Sequence, residues 1–573
     1  MSTYQKFPST VIEGGVLKKG WPAILQEIKR EGRENIIAIE CYTGIHYQEV
    51  MSTMRELPHQ LFVDTRDLFK SKEAVEEMTS TFMTDDALFG YMSNLSIADY
   101  FDREKLSEIK KRIAEARENG NVILFGAGAT LVADPDLLIY ADMPRWEIQQ
   151  RMRRQQVNGL GVDDSKVPFS IQYKRGLFID WRVLDKHKKG LYSRVDYWLD
   201  TVSEPKLIDK KTFHAAMEKI CRIPFRVVPF FDPAPWGGQW MKEVCGLDRS
   251  VANYGWCFDC VPEENSLLLQ IDGEIFEMPS VNLVYTKSRE LLGEPVEARF
   301  GKDFPIRFDF LDTIDGGNLS LQVHPHIEFA RENFGLHYTQ EESYYIVDAR
   351  EDSTVYLGVK SGIDPEAMIG DLRKAQQEGT TFDAEKYVNI VPAKKHDHFL
   401  IPSGTIHCSG KDTVVLEISA TPNLYTFKLW DWGRLGLDGK PRPINIDRGE
   451  KVINWQRDTE FIKRELVNCF QEVATGDGWK EEKTGLHENQ FIETRRHTFE
   501  KPVTHHTGNS VNVLCLVEGD EVVVESPTGD FEPYLVHYAE TFIIPAAVKE
   551  YRIRPYGKSE GKTCMTVKAT VRY

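Results

Sequence analysis

At 573 residues the chain exceeds what one hydrophobic core supports, so several domains are expected. Its 41% hydrophobic and 28% charged residues describe a folded protein, and a formal charge of −17 excludes nucleic acid as a main partner, because polyanion binding needs concentrated Lys and Arg. No apolar run approaches the ~20 residues that span a bilayer, and the polar start MSTYQKFPST lacks a signal-peptide core. No membrane partner and a cytoplasmic location are therefore expected.

The first 215 residues alternate short apolar strands with helical stretches: NIIAIECYTG (35–44), IHYQEVMSTMREL (45–57), HQLFVDT (59–65), DREKLSEIKKRIAEARENG (102–120), NVILFGAG (121–128), DLLIYADM (136–143) and PRWEIQQRMRR (144–154). That order predicts an α/β domain on a parallel sheet over residues 1–215. The basic run RMRRQQ (151–156) reads as a solvated helix face. A strand, a glycine-bearing loop and a helix are the setting in which α/β folds bind phosphate. IIAIECYTGIHYQEV (36–50), however, carries Glu40 where phosphate would lie and no Gly-Lys-Ser/Thr after Gly44.

Residues 121–154 resemble the later strands and helices of P-loop nucleoside and uridine kinases, with Asp142, Arg145 and Arg151 at the strand-end acid and basic lid positions. The resemblance, which covers roughly residues 30–160, implies a degenerate kinase-like domain without phosphotransfer; a scaffold or regulatory role is expected, with a small anionic ligand or nucleotide as its candidate partner.

Beyond residue 225 the texture changes to short strands broken by Gly, Pro and Asp turns, with one polar helical stretch, DPEAMIGDLRKAQQEG (364–379). This predicts a mainly β region: a sandwich or barrel with a helical insertion over 216–484 and a further β domain over 485–573. Side chains alternate along a strand, so Gln322 and His324 share one face of LSLQVHP, and Glu342 and Tyr344 share a face of EESYYIV. IPSGTIHCSG then ends a strand in a turn and begins the next with His407. Two imidazoles, a carboxylate and a carboxamide oxygen make an N/O set suited to zinc with a position left open. The nine cysteines are scattered without a disulfide framework, and Cys257 and Cys260 in WCFDC are expected to be structural.

From PAPWGGQW (233–240) through FLDTIDGGNLSLQVHP, EESYYIV, IPSGTIHCSG, VLEIS and YTFKLWDWGRLGLDGKPR, the chain resembles type I phosphomannose isomerase, a zinc-dependent cupin family that interconverts mannose 6-phosphate and fructose 6-phosphate. The resemblance implies a double-cupin fold, one zinc or other divalent metal per chain, and Gln322, His324, Glu342 and His407 as its ligands. It also implies Glu417 as general base, with Lys428 and Arg434 among the catalytic residues and Ser320, Gln340 and Trp236 in substrate binding; Glu341 and His326 are the next candidates for the base.

Three departures stand out. Gln340 and Asp309 occupy places where the family has lysine, and Lys428 one where it has arginine; Arg307 and Arg434 are candidate compensating cations. A sugar or sugar phosphate is the expected partner and mannose-6-phosphate isomerisation the expected activity. The alternatives are isomerisation of another sugar or a catalytically weak sugar-binding regulator. The last β domain repeats the strand and turn pattern without a complete ligand set. It is expected to be structural and metal-free, with His505 and His506 as an exposed turn pair.

Overall fold

The computed structural model describes residues 2–31, 36–420, 425–487 and 490–573. Asn35, the first residue of the predicted strand 35–44, lies outside the described residues. Two compact units emerge: Ser9–Lys219 with Glu263–Thr286, and Met1–Pro8 with Ile220–Pro262 and Lys287–Tyr573. The predicted division at 215/216 and 484/485 is thereby altered. Glu263–Thr286 belongs with the N-terminal unit, where its strand Ser266–Ile271 pairs in parallel with Ser9–Val11 in a separate three-stranded sheet, a long-range pairing that local composition cannot reveal. The last β region begins earlier than residue 485, with strands Gln471–Gly476 and Trp479–Lys483.

The first unit holds a seven-stranded sheet in the order Leu17–Lys19, Lys206–Asp209, Tyr197–Asp200, Leu137–Asp142, Ile36–Cys41, Val122–Phe125, Leu61–Asp64. The last five strands are mutually parallel, and an antiparallel pair forms the edge. The three central strands are buried along their whole length, which explains their unbroken apolar sequences. Their connections use amphipathic helices such as Arg103–Ala116, whose N-terminus is capped by Asp102 accepting from the amides of Glu104 and Lys105, and which buries Ile109 and Ile113.

Helix Arg145–Arg153 corrects the solvated-face reading of 151–156 at Arg151 and Met152, which are buried, while 153–156 are exposed. Arg151 is only 1% exposed, and it donates to the carbonyls of Gly44 and Thr201 while pairing with Glu147. Gly44 is required for that approach: its φ is +92°, and a Cβ there would lie 2.6 Å from Ile148.

The second unit contains two antiparallel β assemblies. In the first, a six-stranded sheet (His398–Ile401, Glu342–Ala349, Thr413–Ala420, Ile306–Asp312, Trp256–Cys260, Phe230–Asp232) accompanies a five-stranded sheet (Val388–Pro392, Thr354–Val359, His407–Ser409, Leu321–Val323, Phe427–Trp430). The helical insertion is Pro365–Glu378, started by Asp364 and stopped by Gly379 in the left-handed region. In the second, six- and four-stranded sheets enclose Phe499, Leu514, Leu516, Val522, Phe542 and Ile553.

His505 is not an exposed turn residue. It lies in strand Val503–His506, 3% exposed, its ring stacked on Tyr551 and edge-on to His497, while its neighbour His506 is exposed. Alternation along a strand explains the split. Cys257 and Cys260 are both buried free thiols. Among the described residues no helix is long and apolar enough to cross a membrane.

Candidate active site

Two short strands and one turn build the site. In Leu321–Val323, buried throughout, Gln322 lies opposite His407 of the adjacent strand. The Pro402–Thr405 turn that delivers His407 is fastened to the other ligand strand, the Gly404 amide donating to the His324 carbonyl at 2.8 Å. Gly404 has φ +86°, and a Cβ there would come within 2.8 Å of the Val452 carbonyl, so glycine is needed. Glu342 opens strand Glu342–Ala349 of the six-stranded sheet.

His324, Glu342 and His407 bring ligand atoms within 4.8 Å of one another, all buried. His324 Nδ1 lies 3.0 Å from the Tyr425 carbonyl and His407 Nδ1 2.9 Å from the Thr405 carbonyl. A proton on each Nδ1 leaves each Nε2 with a lone pair, the tautomer a metal-binding histidine requires. Those Nε2 atoms approach Glu342 to 3.1 and 2.8 Å, yet His324 Nε2 and Glu342 Oε1 have no hydrogen bond of acceptable geometry. These short contacts crowd two imidazoles and a carboxylate around one buried point, which suits a cation. Gln322 completes the group, its carboxamide 3.2 Å from His407 Nε2; turning the amide would present its oxygen. The residues therefore fit a divalent metal of mixed N/O preference.

The charges respond to one another. Burial opposes ionisation of Glu342, but the two histidines outweigh it and hold the carboxyl well below its ordinary range; for His324, burial is outweighed by Glu342 and the imidazole is raised. Glu417 is raised well above the carboxylate range, first by burial, then by Asp309 and Glu342. A dication in the cage would oppose that shift.

Ser320, Lys428 and Arg434 gather with two residues that the sequence did not single out, Asp431 and Arg442. Ser320 donates to Asp431 at 2.8 Å, Arg434 donates to the same carboxylate at 2.7 Å, and Arg442 donates both to Asp431 at 3.0 Å and to Ser320 at 3.1 Å. Lys428 is the cross-strand neighbour of Gln322, its ammonium lowered to about 8 by burial and by Arg442. Arg442 stood in the quoted loop GLDGKPR, but a basic residue after a Gly-Lys-Pro turn looks like ordinary loop polarity. Only the fold brings it back to Ser320.

Two expected substrate contacts take other positions. Gln340 spends both ends of its amide inside the protein, donating to Glu342 at 3.0 Å and accepting from the Tyr425 amide at 3.2 Å, so it orients a ligand. Trp236 is buried edge-on against Trp256, which stacks on Phe258, the cross-strand neighbour of Asp309. The reserve bases have partners within the protein. Glu341 accepts from Ser403 and Gln490, and the His326 side chain caps helix Ile327–Phe334. Arg307 lies 4.0 Å from Asp309 on the same strand.

Comparisons with known proteins divide the chain. A family model described as a domain of unknown function (DUF8485) matches residues 20–222. Over 230 residues the chain is 26% identical to a probable mannose-6-phosphate isomerase, GmuF, of Bacillus subtilis, covering 40% of this chain and 68% of that protein. A mannose-6-phosphate isomerase of Streptococcus mutans is 26% identical over 220 residues, covering 38% of this chain and 64% of that protein. Among solved structures, the mannose 6-phosphate isomerase of Bacillus subtilis matches with TM-score 0.48 and 18% identity, covering 60% of this chain and 99% of that one.

Proposed function

We propose that the protein is a metal-dependent aldose–ketose isomerase of a hexose phosphate, most simply mannose 6-phosphate, with zinc as the metal. The observation that carries the reading is the convergence of His324, Glu342 and His407 on one buried point. The curated mannose-6-phosphate isomerases similar to the chain support the reaction class and the substrate. In this reading Gln322, His324, Glu342 and His407 hold the cation, which supplies positive charge against the negative charge that develops as the carbonyl moves. Glu417 takes the proton from C2 and returns it to C1. Ser320, Lys428, Arg434 and Arg442 receive the substrate phosphate, whose negative charge their surplus over Asp431 balances.

A second reading, isomerisation of a different sugar, is favoured by one observation. Asp309 lines the wall beside Glu417 with a carboxylate, and a wall of acids suits hydroxyl groups better than additional phosphate oxygens. Assaying phosphorylated and free aldoses with added zinc tests both. Turnover of mannose 6-phosphate alone supports the first reading, turnover of another sugar the second, and no isomerisation of any sugar overturns the enzyme reading in favour of a sugar-binding regulator. For the N-terminal unit we propose ligand binding or a scaffold role without phosphotransfer.

A further inference from the structure

One buried carboxylate beside the cage has no part in the proton transfer assigned above. Asp309 lies directly opposite Glu417 on the neighbouring antiparallel strand, so both side chains leave the same face of the sheet with β-carbons about 5 Å apart. Glu417 is in turn opposite Tyr344, two residues along from Glu342, which puts Asp309, Glu417 and Glu342 on one inner face. Asp309 is 1% exposed, and neither of its carboxylate oxygens has a hydrogen-bond partner. Buried carboxyl groups are normally hydrogen-bonded, and leaving one without donors costs stability. A sugar lying against Glu417 would bring hydroxyl groups to these oxygens.

We propose that Asp309 is a second catalytic carboxyl, moving the hydroxyl proton between O1 and O2 of the sugar while Glu417 moves the carbon-bound proton between C2 and C1. The inference rests on the isomerase reading above. In the aldose-to-ketose direction the Glu417 carboxylate removes the C2 proton. The C–H pair becomes the C1=C2 bond, and the carbonyl π pair moves to O1, which takes the proton carried by Asp309. The Asp309 carboxylate then removes the proton from O2, whose O–H pair becomes the C2 carbonyl bond, and the C1=C2 pair takes the proton back from Glu417 at C1. Both carboxyls end as they began, and no co-reactant is consumed. Burial is the first cause that raises the Asp309 carboxyl above its ordinary range, with Arg307 opposing and Glu342 adding.

The test uses full-length, metal-loaded protein in deuterated water with whichever aldose the wild type isomerises, following product formation and deuterium at C2 of recovered aldose. Asp309→Asn is expected to slow isomerisation about 100-fold and C2 exchange less, because exchange needs only the first of the two proton transfers made by Asp309, so the ratio of exchange to isomerisation rises about tenfold. Asp309→Glu, which keeps a carboxyl, should return that ratio towards the wild-type value and guards against a folding defect in the first variant. Exchange and turnover falling in equal proportion, neither falling, or loss of metal from Asp309→Asn would each overturn the proposal. A wild type that exchanges C2 protons with no sugar of the panel overturns instead the isomerase reading beneath it.

Discussion

The strand ends of the N-terminal sheet and the interior of the first β assembly are both crowded with buried ionisable groups, but three acids of the first, Glu40, Asp142 and Asp185, are each met by donors. In the sheet, Glu40 accepts from the amides of Gly128 and Thr130, Asp142 pairs with Lys188 at 2.6 Å and accepts from Asn282, and Asp185 is held by Arg145 and Tyr42. In the β assembly, His324 Nε2, Glu342 Oε1 and both oxygens of Asp309 lie buried without hydrogen bonds. A scaffold gains from satisfying each polar group, whereas a binding site keeps its lone pairs for what it binds. The difference separates a structural ionic cluster from a chemical one, although the residue types are the same.

The harshest way to break the comparison is to remove the convergent lone pairs. His324→Ala and His407→Ala should each lose the metal by elemental analysis and cut turnover about 1,000-fold or more, equivalent to roughly 4 kcal/mol of transition-state stabilisation. Retained metal in both variants would mean that the cage is misassigned. Next, Glu417→Gln should lower kcat about 100- to 10,000-fold with metal content and KM nearly unchanged, because it removes a base and keeps the shape; unchanged kcat moves the base elsewhere. Arg442→Met should raise KM for a phosphorylated sugar about tenfold or more, the scale of one charge-assisted hydrogen bond. Asp431 keeps Arg434 in that variant, so its own charge stays paired. An unaltered KM would detach the Ser320 cluster from phosphate recognition.

Much of this site was legible because strands impose a period of two. Gln322 with His324, and Glu342 with Tyr344, could be assigned to shared faces from spacing alone, and the helical insertion announced itself through Asp364 and Gly379. What stayed hidden depends on pairing between distant segments. Nothing local says that Ser266–Ile271 joins Ser9–Val11, that Arg442 returns to Ser320, or that Gln340 spends its amide on Glu342 rather than on substrate. Arg151 misled for a related reason: a guanidinium in a basic run looks solvated until backbone carbonyls from two other segments are folded around it.

A gentler probe concerns the N-terminal unit. Glu277 is raised to about 7 and Asp200 to about 6, in both cases chiefly by burial, and the Glu277 amide donates to Asp200. For a carboxyl raised in the folded state, the native protein binds the proton more tightly than the unfolded chain. Stability is therefore undiminished below about pH 4 and falls as pH rises through 7. Glu277→Gln removes the charge while keeping an oxygen to accept from Ser266. The N-terminal unit should gain roughly 2–3 kcal/mol at pH 8 and almost nothing at pH 4. Equal melting temperatures of variant and wild type at pH 8 would mean that Glu277 is better solvated than this packing implies.

The smallest expected effect is none: the N-terminal unit should release no phosphate from ATP. Phosphoryl transfer needs backbone amides and a lysine around the β and γ phosphates and a hydroxyl on magnesium. Here Glu40 itself occupies the amides of Gly128 and Thr130, so the chain's own carboxylate sits where an anion would be received. Three nearby cations are committed: Arg145 to Asp185, Arg151 to Glu147 and two carbonyls, and Lys188 to Asp142. What remains open is a cavity of about 640 Å³ at the end of strand Ile36–Cys41, lined by Thr43, Gly44, Tyr47, Arg66, Lys70 and Gly159. That is where open α/β sheets receive ligands, so calorimetric binding of a nucleotide or small anion without turnover is compatible with these pairings. ATP hydrolysis that survives repurification is not, because it would require Glu40 to leave its amides. Glu40→Ala separates the two cases: it should leave hydrolysis absent, since no lysine is restored, while freeing two amides for an added anion such as inorganic phosphate.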